Sequence, residues 1–334
     1  MELTNLIPNA RERPTPDSEA VEAIDARIAD ILRPPGALAR LDGVASWLAG
    51  WQATPTPLVT KPHALIFAAD HGVAAEGVSA FPAEVTSAML AAFNASRASV
   101  SAIAAVVGAE VTAIDVGVGK PTGNIRNEAA LDEARFAKAF EQGRQAVREI
   151  DTDLLVLGEM GIGNTTPAAA VTAGILCEKA DEIEHFVGRG TGVDDARFAN
   201  KVEVVADAVA RLDPKAHPLE VLRQVGGSEL VAIAGALVEA RMTSTPVLLD
   251  GYIATSPALV LGAIDPDLVA NCRAGHCSAE PGHTRGLEHL GLSPLLSLDM
   301  ALGEASGAMA AIPLLKIACA LVNDVATFTE WFGE

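Results

Sequence analysis

Ala64-Leu65-Ile66-Phe67-Ala68-Ala69 runs directly into Asp70-His71-Gly72, and the reading of this junction decides the fold. A short apolar run that stops at an acidic residue beside glycine predicts a buried strand and the turn that leaves it. The same pattern returns three times. Val111-Thr112-Ala113-Ile114 ends at Asp115, Leu154-Leu155-Val156-Leu157 at Gly158-Glu159, and Val247-Leu248-Leu249 at Asp250-Gly251. Between these runs lie Ala-rich helical stretches of roughly 10 to 20 residues, the βα alternation of a parallel sheet. The expected fold is therefore α/β, a doubly wound, mostly parallel, Rossmann-like sheet. Open sheets of this kind bind ligands outside the carboxyl ends of their strands. The acidic strand ends Asp70, Asp115, Glu159 and Asp250 are thus candidates for a site rim, with helix N-capping as the plain alternative.

Outward from this centre, the two ends of the chain read as helical. Val21, Ile24, Ile28 and Ile31 follow helical spacing from Ser18, and Pro34-Pro35 must stop that helix. A second helix is expected over 38–51, then a linker marked by Pro55, Pro57 and Pro62. Residues 1–16 are polar and Pro-rich and read as a mobile arm. After Ser293 the pattern is helical again, with Pro313 as a kink or restart. The expected organisation is a small helical domain from residues 1–60 plus 295–334, beside an α/β nucleotide-binding domain over 61–294.

Composition narrows the function classes. The 334 residues carry 24 Lys+Arg against 43 Asp+Glu, a formal charge of −19. A nucleic-acid partner is excluded by that balance and by the lack of any Lys/Arg run. One small phosphate in a local positive pocket is not. No stretch approaches 18 consecutive apolar residues, so no membrane span is expected. Met1-Glu2-Leu3-Thr4 has neither a basic nor an apolar leader region, and four cysteines suggest no disulfide framework. The expectation is a soluble cytoplasmic protein.

Four segments could carry chemistry. Gly158-Glu159-Met160-Gly161-Ile162-Gly163-Asn164-Thr165-Thr166 joins a strand to a helix, and its glycines let backbone approach a ligand or an anion. It nearly matches a dinucleotide fingerprint, with Thr166 in place of the last glycine, but it is no Walker A loop. Gly188-Arg189-Gly190-Thr191-Gly192 combines backbone donors with a cation, and Lys201 follows one or two turns into the next helix. That set suits a single phosphate, and Asp194 or Asp195 is expected to cap the helix. In Asn271–His283, the residues Cys272, His276, Cys277 and His283 lack zinc-site spacing, so the histidines are expected to bond backbone or substrate. Lastly, Glu304 is a single carboxylate in the small-residue, apolar, helical stretch Leu302–Ala311, where burial would raise its pKa and suit it to general-base work, with an exposed Glu or a helix cap as the plain alternative.

Taken together, nine ordered segments across roughly residues 30–330 resemble the nicotinate-nucleotide–dimethylbenzimidazole phosphoribosyltransferase family. They are Pro34-Pro35-Gly36, Ala69–Val73 with Glu76–Ser79, Asp115-Val116-Gly117, Gly158–Thr166, Gly188–Gly192, Gly226-Gly227 with Glu229, Leu249-Asp250-Gly251, His276–His283, and Leu302-Gly303-Glu304. The resemblance implies transfer of the 5-phosphoribosyl group of nicotinate mononucleotide to a benzimidazole, in synthesis of the cobalamin lower ligand. It implies no metal or cofactor, and a homodimer. It makes Glu304 the base, and gives Gly188, Arg189, Gly190 and Lys201 to the phosphate. Glu159, Gly161, Ile162, Gly163, Asn164, Thr165 and Asp250 fall to the nicotinate and ribose. Ser79, Phe81, Ala83 and Leu302 fall to the benzimidazole pocket.

Some positions depart from the family pattern. Ala83 stands where the family commonly has Gln, Ala305-Ser306 where it has Gly-Thr, and Ala37 and Ala39 where Ser and Gly are usual. Acceptor choice is what these changes bear on. Two other readings stay open on sequence: a catalytically altered paralogue that binds a nucleotide or another base, and a nicotinamide-dependent dehydrogenase using the Gly161 loop.

Overall fold

The computed structural model describes residues 3–177 and 180–333. Five strands form one parallel sheet: β1 (Pro62–Ala69), β2 (Glu110–Gly117), β3 (Leu154–Met160), β4 (Val247–Leu249) and β5 (Cys272–Ala274), in the order β2-β1-β3-β4-β5. The chain builds outward through β1 to β2, then returns past β1 to lay down β3. The order reverses between β1 and β3, which leaves a crevice at their carboxyl ends. A two-stranded parallel pair, β6 (His276–Cys277) with β7 (Leu296–Ser297), follows.

Strand alternation divides the core in two. Leu65, Phe67, Leu155, Leu157, Val247 and Leu249 point to one face; Ala64, Ile66, Leu154, Val156 and Leu248 point to the other. Before β1 come α1 (Ser18–Asp30) and α2 (Ala39–Gln52); α3 (Val85–Asn94) and α4 (Ser99–Val107) precede β2. Next are α5 (Glu133–Arg148), α6 (Thr165–Leu176), α7 (Asp195–Ala210), α8 (Pro218–Val225) and α9 (Ser228–Met242). The last are α10 (Tyr252–Ile264), α11 (Pro281–Leu290), α12 (Ser306–Asn323) and α13 (Phe328–Phe332). Helices α5 to α10 cover the first face, while α1, α2, α4 and α12 share the second core. Helices on both faces of an all-parallel sheet are the doubly wound α/β fold read from the four apolar runs.

Helix α9 is buried on every side from Ser228 to Arg241, as expected of a helix apolar all round its girth. Its charged members are partnered: Glu239 takes Arg144 and Arg148, and Arg241 takes Asp267. By length and composition, α12 and the stretch Val85–Val107 could each cross a bilayer, yet over half of the apolar window of α12 is buried inside the protein.

The N-terminal arm differs from its sequence reading. Leu3, Leu6 and Ile7 pack on the first core, and buried Arg13 bonds Asp265 at 2.8 Å and Asp267 at 3.0 Å. Two acidic residues at the α10–β5 turn draw the arm in. Hydrogen bonds from the Asp267 backbone and Arg13 hold the Asp265 carboxyl below its ordinary range.

Candidate active site

A cavity of about 310 Å³ opens at the carboxyl ends of the strands. Its walls come from 78–89, from the β3–α6 loop, from Arg189–Val193, and from 300–304. One of the four acidic strand ends lines it and a second backs it. Glu159 lines the cavity, and Asp250 lies just behind the lining. The other two fold turns: Asp115 accepts from the backbone N–H groups of Gly117 and Val118 at 2.9 and 2.8 Å. Asp70 accepts from Gly119 N at 2.7 Å. The backbone leaving β1 and β2 needed those acceptors locally, so neither residue is a helix cap or a rim residue.

Glu304 sits 5 % exposed at the mouth of α12, and one of its carboxylate oxygens is buried with no partner. Burial pushes its carboxyl above the ordinary value. The backbone there is unusual. Gly303, Glu304 and Ala305 are all left-handed, at φ 81°, 60° and 64°. Such a conformation costs a non-glycine residue on the order of 1 kcal/mol and concentrates at functional sites. Gly303 tolerates it and also permits close approach, since a Cβ there would lie 2.4 Å from Glu159 Oε1.

Asp250 binds the start of α12. Its Oδ1 accepts from Ala308 N at 2.9 Å, while α12 has no capping side chain of its own. Asp250 therefore supplies from β4 the cap that Ala305 cannot. Burial raises its carboxyl to about 7, against the opposing pull of these backbone donors. Burial likewise raises Glu159 to about 8, while Asn164 Nδ2 hydrogen-bonds its Oε2. Around neutral pH these carboxyl groups are thus partly protonated, ready to become anions when a cation enters.

This state has a measurable consequence. Glu159 has an ordinary pKa of 4.5 and a folded value of about 8. Between them the folded state binds the extra proton, so this group's contribution to stability falls as pH rises. Glu159→Gln removes that loss. Its stability relative to wild type is expected to climb from pH 5 to pH 8 by at most about 1.4 kcal/mol per pH unit. Paired thermal melts measure it; a constant difference across that window contradicts the assignment.

The phosphate-type segment also closes into a unit. Lys201, fully buried on α7, donates to Thr165 Oγ1 at 2.8 Å and to the Gly188 carbonyl at 2.7 Å. Burial lowers its pKa to about 8. Gly190, at φ 54°, turns the loop over this amine. Asp194 caps α7 by accepting from Arg197 N, as expected. Arg189 borders the cavity, but its guanidinium is engaged by the Val193 carbonyl and by Asp195 at 2.6 Å, and it stacks over Phe198.

At the other end the lining is apolar. Val78, Val85, Met89, Met160 and Met300 form the wall, and Phe81 and Leu302 stand half exposed at its edge. Ser79 faces the cavity and accepts from Phe81 N. Gly161, Ile162, Gly163, Asn164 and Thr165 all line it, with Ile162 N tied to Thr86 Oγ1 at 3.2 Å. Ala83 lies exposed before α3, outside the lining; Gly188 and Lys201 lie behind it.

His71, Glu229 and Glu280 carried no individual role in the sequence reading. His71 and Glu229 form a wholly buried pair at 2.6 Å beneath Gly161. Glu280 hydrogen-bonds Gly190 N at 2.7 Å. His276 packs on Gly307 and lies 3.6 Å from Asp250. His283 Nδ1 accepts from Ser278 N at 2.9 Å, which leaves Nε2 to donate to Thr255 Oγ1 at 3.0 Å, and burial followed by the charge of His276 lowers its pKa to about 3. His283 thus makes the backbone bond expected of it. Among the described residues, no cluster of three or more His, Cys, Asp or Glu is placed to hold a metal ion.

Known proteins share this architecture. A family model described as phosphoribosyltransferase matches residues 13–331. Nicotinate-nucleotide–dimethylbenzimidazole phosphoribosyltransferase of Novosphingobium aromaticivorans is 45 % identical over 320 residues, covering 95 % of this chain and 93 % of that protein. The enzyme of the same name from Methylorubrum extorquens is 41 % identical, covering 98 % and 95 %. The crystal structure of CobT from Thermus thermophilus superposes with a TM-score of 0.88 at 41 % identity, covering 93 % of this chain and 98 % of that one. A fold, a sequence and an ordered set of site segments that agree over nearly the whole length place this chain in the nicotinate-nucleotide–dimethylbenzimidazole phosphoribosyltransferase family.

Proposed function

We propose that this protein transfers the 5-phosphoribosyl group of nicotinate mononucleotide to 5,6-dimethylbenzimidazole or a related azole, releasing nicotinate. The observation that carries this reading is the division of one cavity into three chemically distinct parts. The Gly190 wall, backed by the buried Lys201 amine, suits a phosphate, buried carboxyls suit a cation, and an apolar slot suits a flat base.

The chemistry follows from those parts. An azole nitrogen attacks C1′ with its lone pair as the bond from C1′ to the pyridinium nitrogen breaks. The leaving electron pair neutralises the pyridinium, so nicotinate departs without a proton or a metal. The new azolium then loses its other N–H proton to Glu304. Glu159 and Asp250, ionised beside the pyridinium, stabilise the positive charge that builds on the ribose. Holding donor and acceptor rings on opposite faces of C1′ supplies much of the remaining acceleration, and attack from the far face inverts that carbon. Lys201 and the Gly188–Gly190 loop hold the phosphate, and the Gly161–Thr165 loop borders the nicotinate and ribose. Ser79, Phe81, Leu302 and the neighbouring Ala83 shape the approach of the base.

A homodimer is part of the same proposal. Its motive is the family resemblance; beside it stand the open edge strand β2 and the exposed Val106 on α4. A cytoplasmic location accords with the family resemblance.

The test is a nicotinate-release assay with nicotinate mononucleotide and an acceptor panel of dimethylbenzimidazole, benzimidazole, hydroxybenzimidazole, adenine and cresol. Release is expected only when an acceptor is present. Acceptor-independent release identifies a hydrolase instead, and failure to release nicotinate with any acceptor supports the altered-paralogue reading.

A further inference from the structure

The loop that suits a phosphate already holds an anion. Glu280, 6 % exposed at the N-terminus of α11, accepts from Gly190 N at 2.7 Å through Oε1. Its second oxygen is buried without a partner. The carboxylate lies flat on Gly188, where a Cβ would fall 2.2 to 2.4 Å from its carboxyl atoms. Ninety residues separate Glu280 from Gly190, so this contact does not arise from local turn geometry. The Glu280 side chain makes no capping bond to its own helix; only its backbone carbonyl does, accepting from His283 N at 3.0 Å. The start of α11 instead sets a carboxylate in the cavity wall against the loop, close enough to Lys201 for its charge to act on the amine.

A buried carboxylate beside a phosphate dianion is costly, because like charges at close range in a partly dry site repel strongly. A loop meant only to attract anions would not carry one.

We propose that Glu280 is a specificity-determining residue: an internal anion that occupies the Gly188–Gly190 nest until a nucleotide phosphate displaces it. A free phosphate brings only its own contacts to that exchange. A mononucleotide brings ribose and base contacts as well, and these offset the cost of moving Glu280. The carboxylate therefore raises the threshold for binding at the nest and discriminates a phosphorylated nucleoside from inorganic phosphate. The inference rests on the Gly188–Gly190 loop with Lys201 being the phosphate site.

The experiment compares inorganic phosphate binding by calorimetry with the KM for nicotinate mononucleotide, in wild type, Glu280→Gln and Lys201→Met. Glu280→Gln keeps the side-chain shape and an acceptor for Gly190 N but removes the charge, so the fold is retained. Phosphate is expected to bind this variant about tenfold or more tightly and to inhibit it at correspondingly lower concentration. The KM for nicotinate mononucleotide should change less, so selectivity for the nucleotide falls. A purely scaffolding role for Glu280 gives no gain in phosphate affinity. Unchanged or weaker phosphate binding in Glu280→Gln overturns the proposal. Lys201→Met separates the underlying reading: phosphate binding is expected to be lost. If Lys201→Met binds phosphate as wild type does, the phosphate lies elsewhere and the site assignment itself fails.

Discussion

Glu304→Gln is expected to lower kcat by about a thousandfold, within the range usual for loss of a general base, while KM for nicotinate mononucleotide stays within a few-fold. The amide matches the carboxylate in shape, so packing at the mouth of α12 is kept. What it cannot do is take the azole proton. Wild type is also expected to show an acidic limb in kcat that lies above the ordinary glutamate value of 4.5, because burial raises this carboxyl. The limb arises because a protonated Glu304 cannot act as a base, and it should vanish in the variant. Full turnover by Glu304→Gln would remove Glu304 from the chemistry. The left-handed backbone at Gly303, Glu304 and Ala305 fits a side chain held in one orientation by its surroundings.

The second large effect concerns stability. Gly235→Ala is expected to destabilise the protein by about 3 kcal/mol or more, read as a lowered thermal midpoint. Helices α5 and α9 touch backbone to backbone at two glycines. A Cβ on Gly235 would lie 1.9 Å from the Phe140 carbonyl oxygen, and one on Gly143 would lie 1.8 Å from that of Ala232. Neither obstacle is a flexible side-chain tip, so a methyl group must push the helices apart. Helix α9 is buried on all sides, and its first turn carries Glu229, which pairs with His71 beneath the Gly161 loop. The displacement should therefore reach the cavity. Gly43→Ala is the control. Gly43 lies in α2 with nothing within 4 Å of its Cβ position, so that change should stabilise by about 0.5–1 kcal/mol. Equal behaviour of the two variants contradicts the packing argument.

What could be read along the chain was whatever leaves a local mark. The apolar runs ending in acidic residues located β1 to β4, and helical spacing with its proline stop located α1 and α2. Asp194 announced the start of α7, and a single carboxylate among small apolar residues drew attention to Glu304. Contacts between distant residues leave no such mark. Arg13 meets Asp265 across 252 positions, His71 meets Glu229 across 158, and Glu280 meets Gly190 across 90. None alters the periodicity around it. Hence the arm read as mobile turns out to be strapped down, and the carboxylate on the glycine nest was visible only once the chain was folded. Asp70 and Asp115 show the converse. An acidic strand end has the same local signature whether it faces a ligand or closes a turn, and only the folded contacts, Gly119 N on Asp70 and the N–H groups of Gly117 and Val118 on Asp115, separate those uses.

The central claim is a single displacement at C1′ between two bases held on opposite faces of one ribose. The most direct measurement is proton NMR of the products when the protein is mixed with nicotinate mononucleotide and dimethylbenzimidazole. Equal amounts of nicotinate and an α-configured benzimidazole riboside phosphate are predicted. A β-configured riboside, or ribose 5-phosphate in place of any riboside, would contradict it.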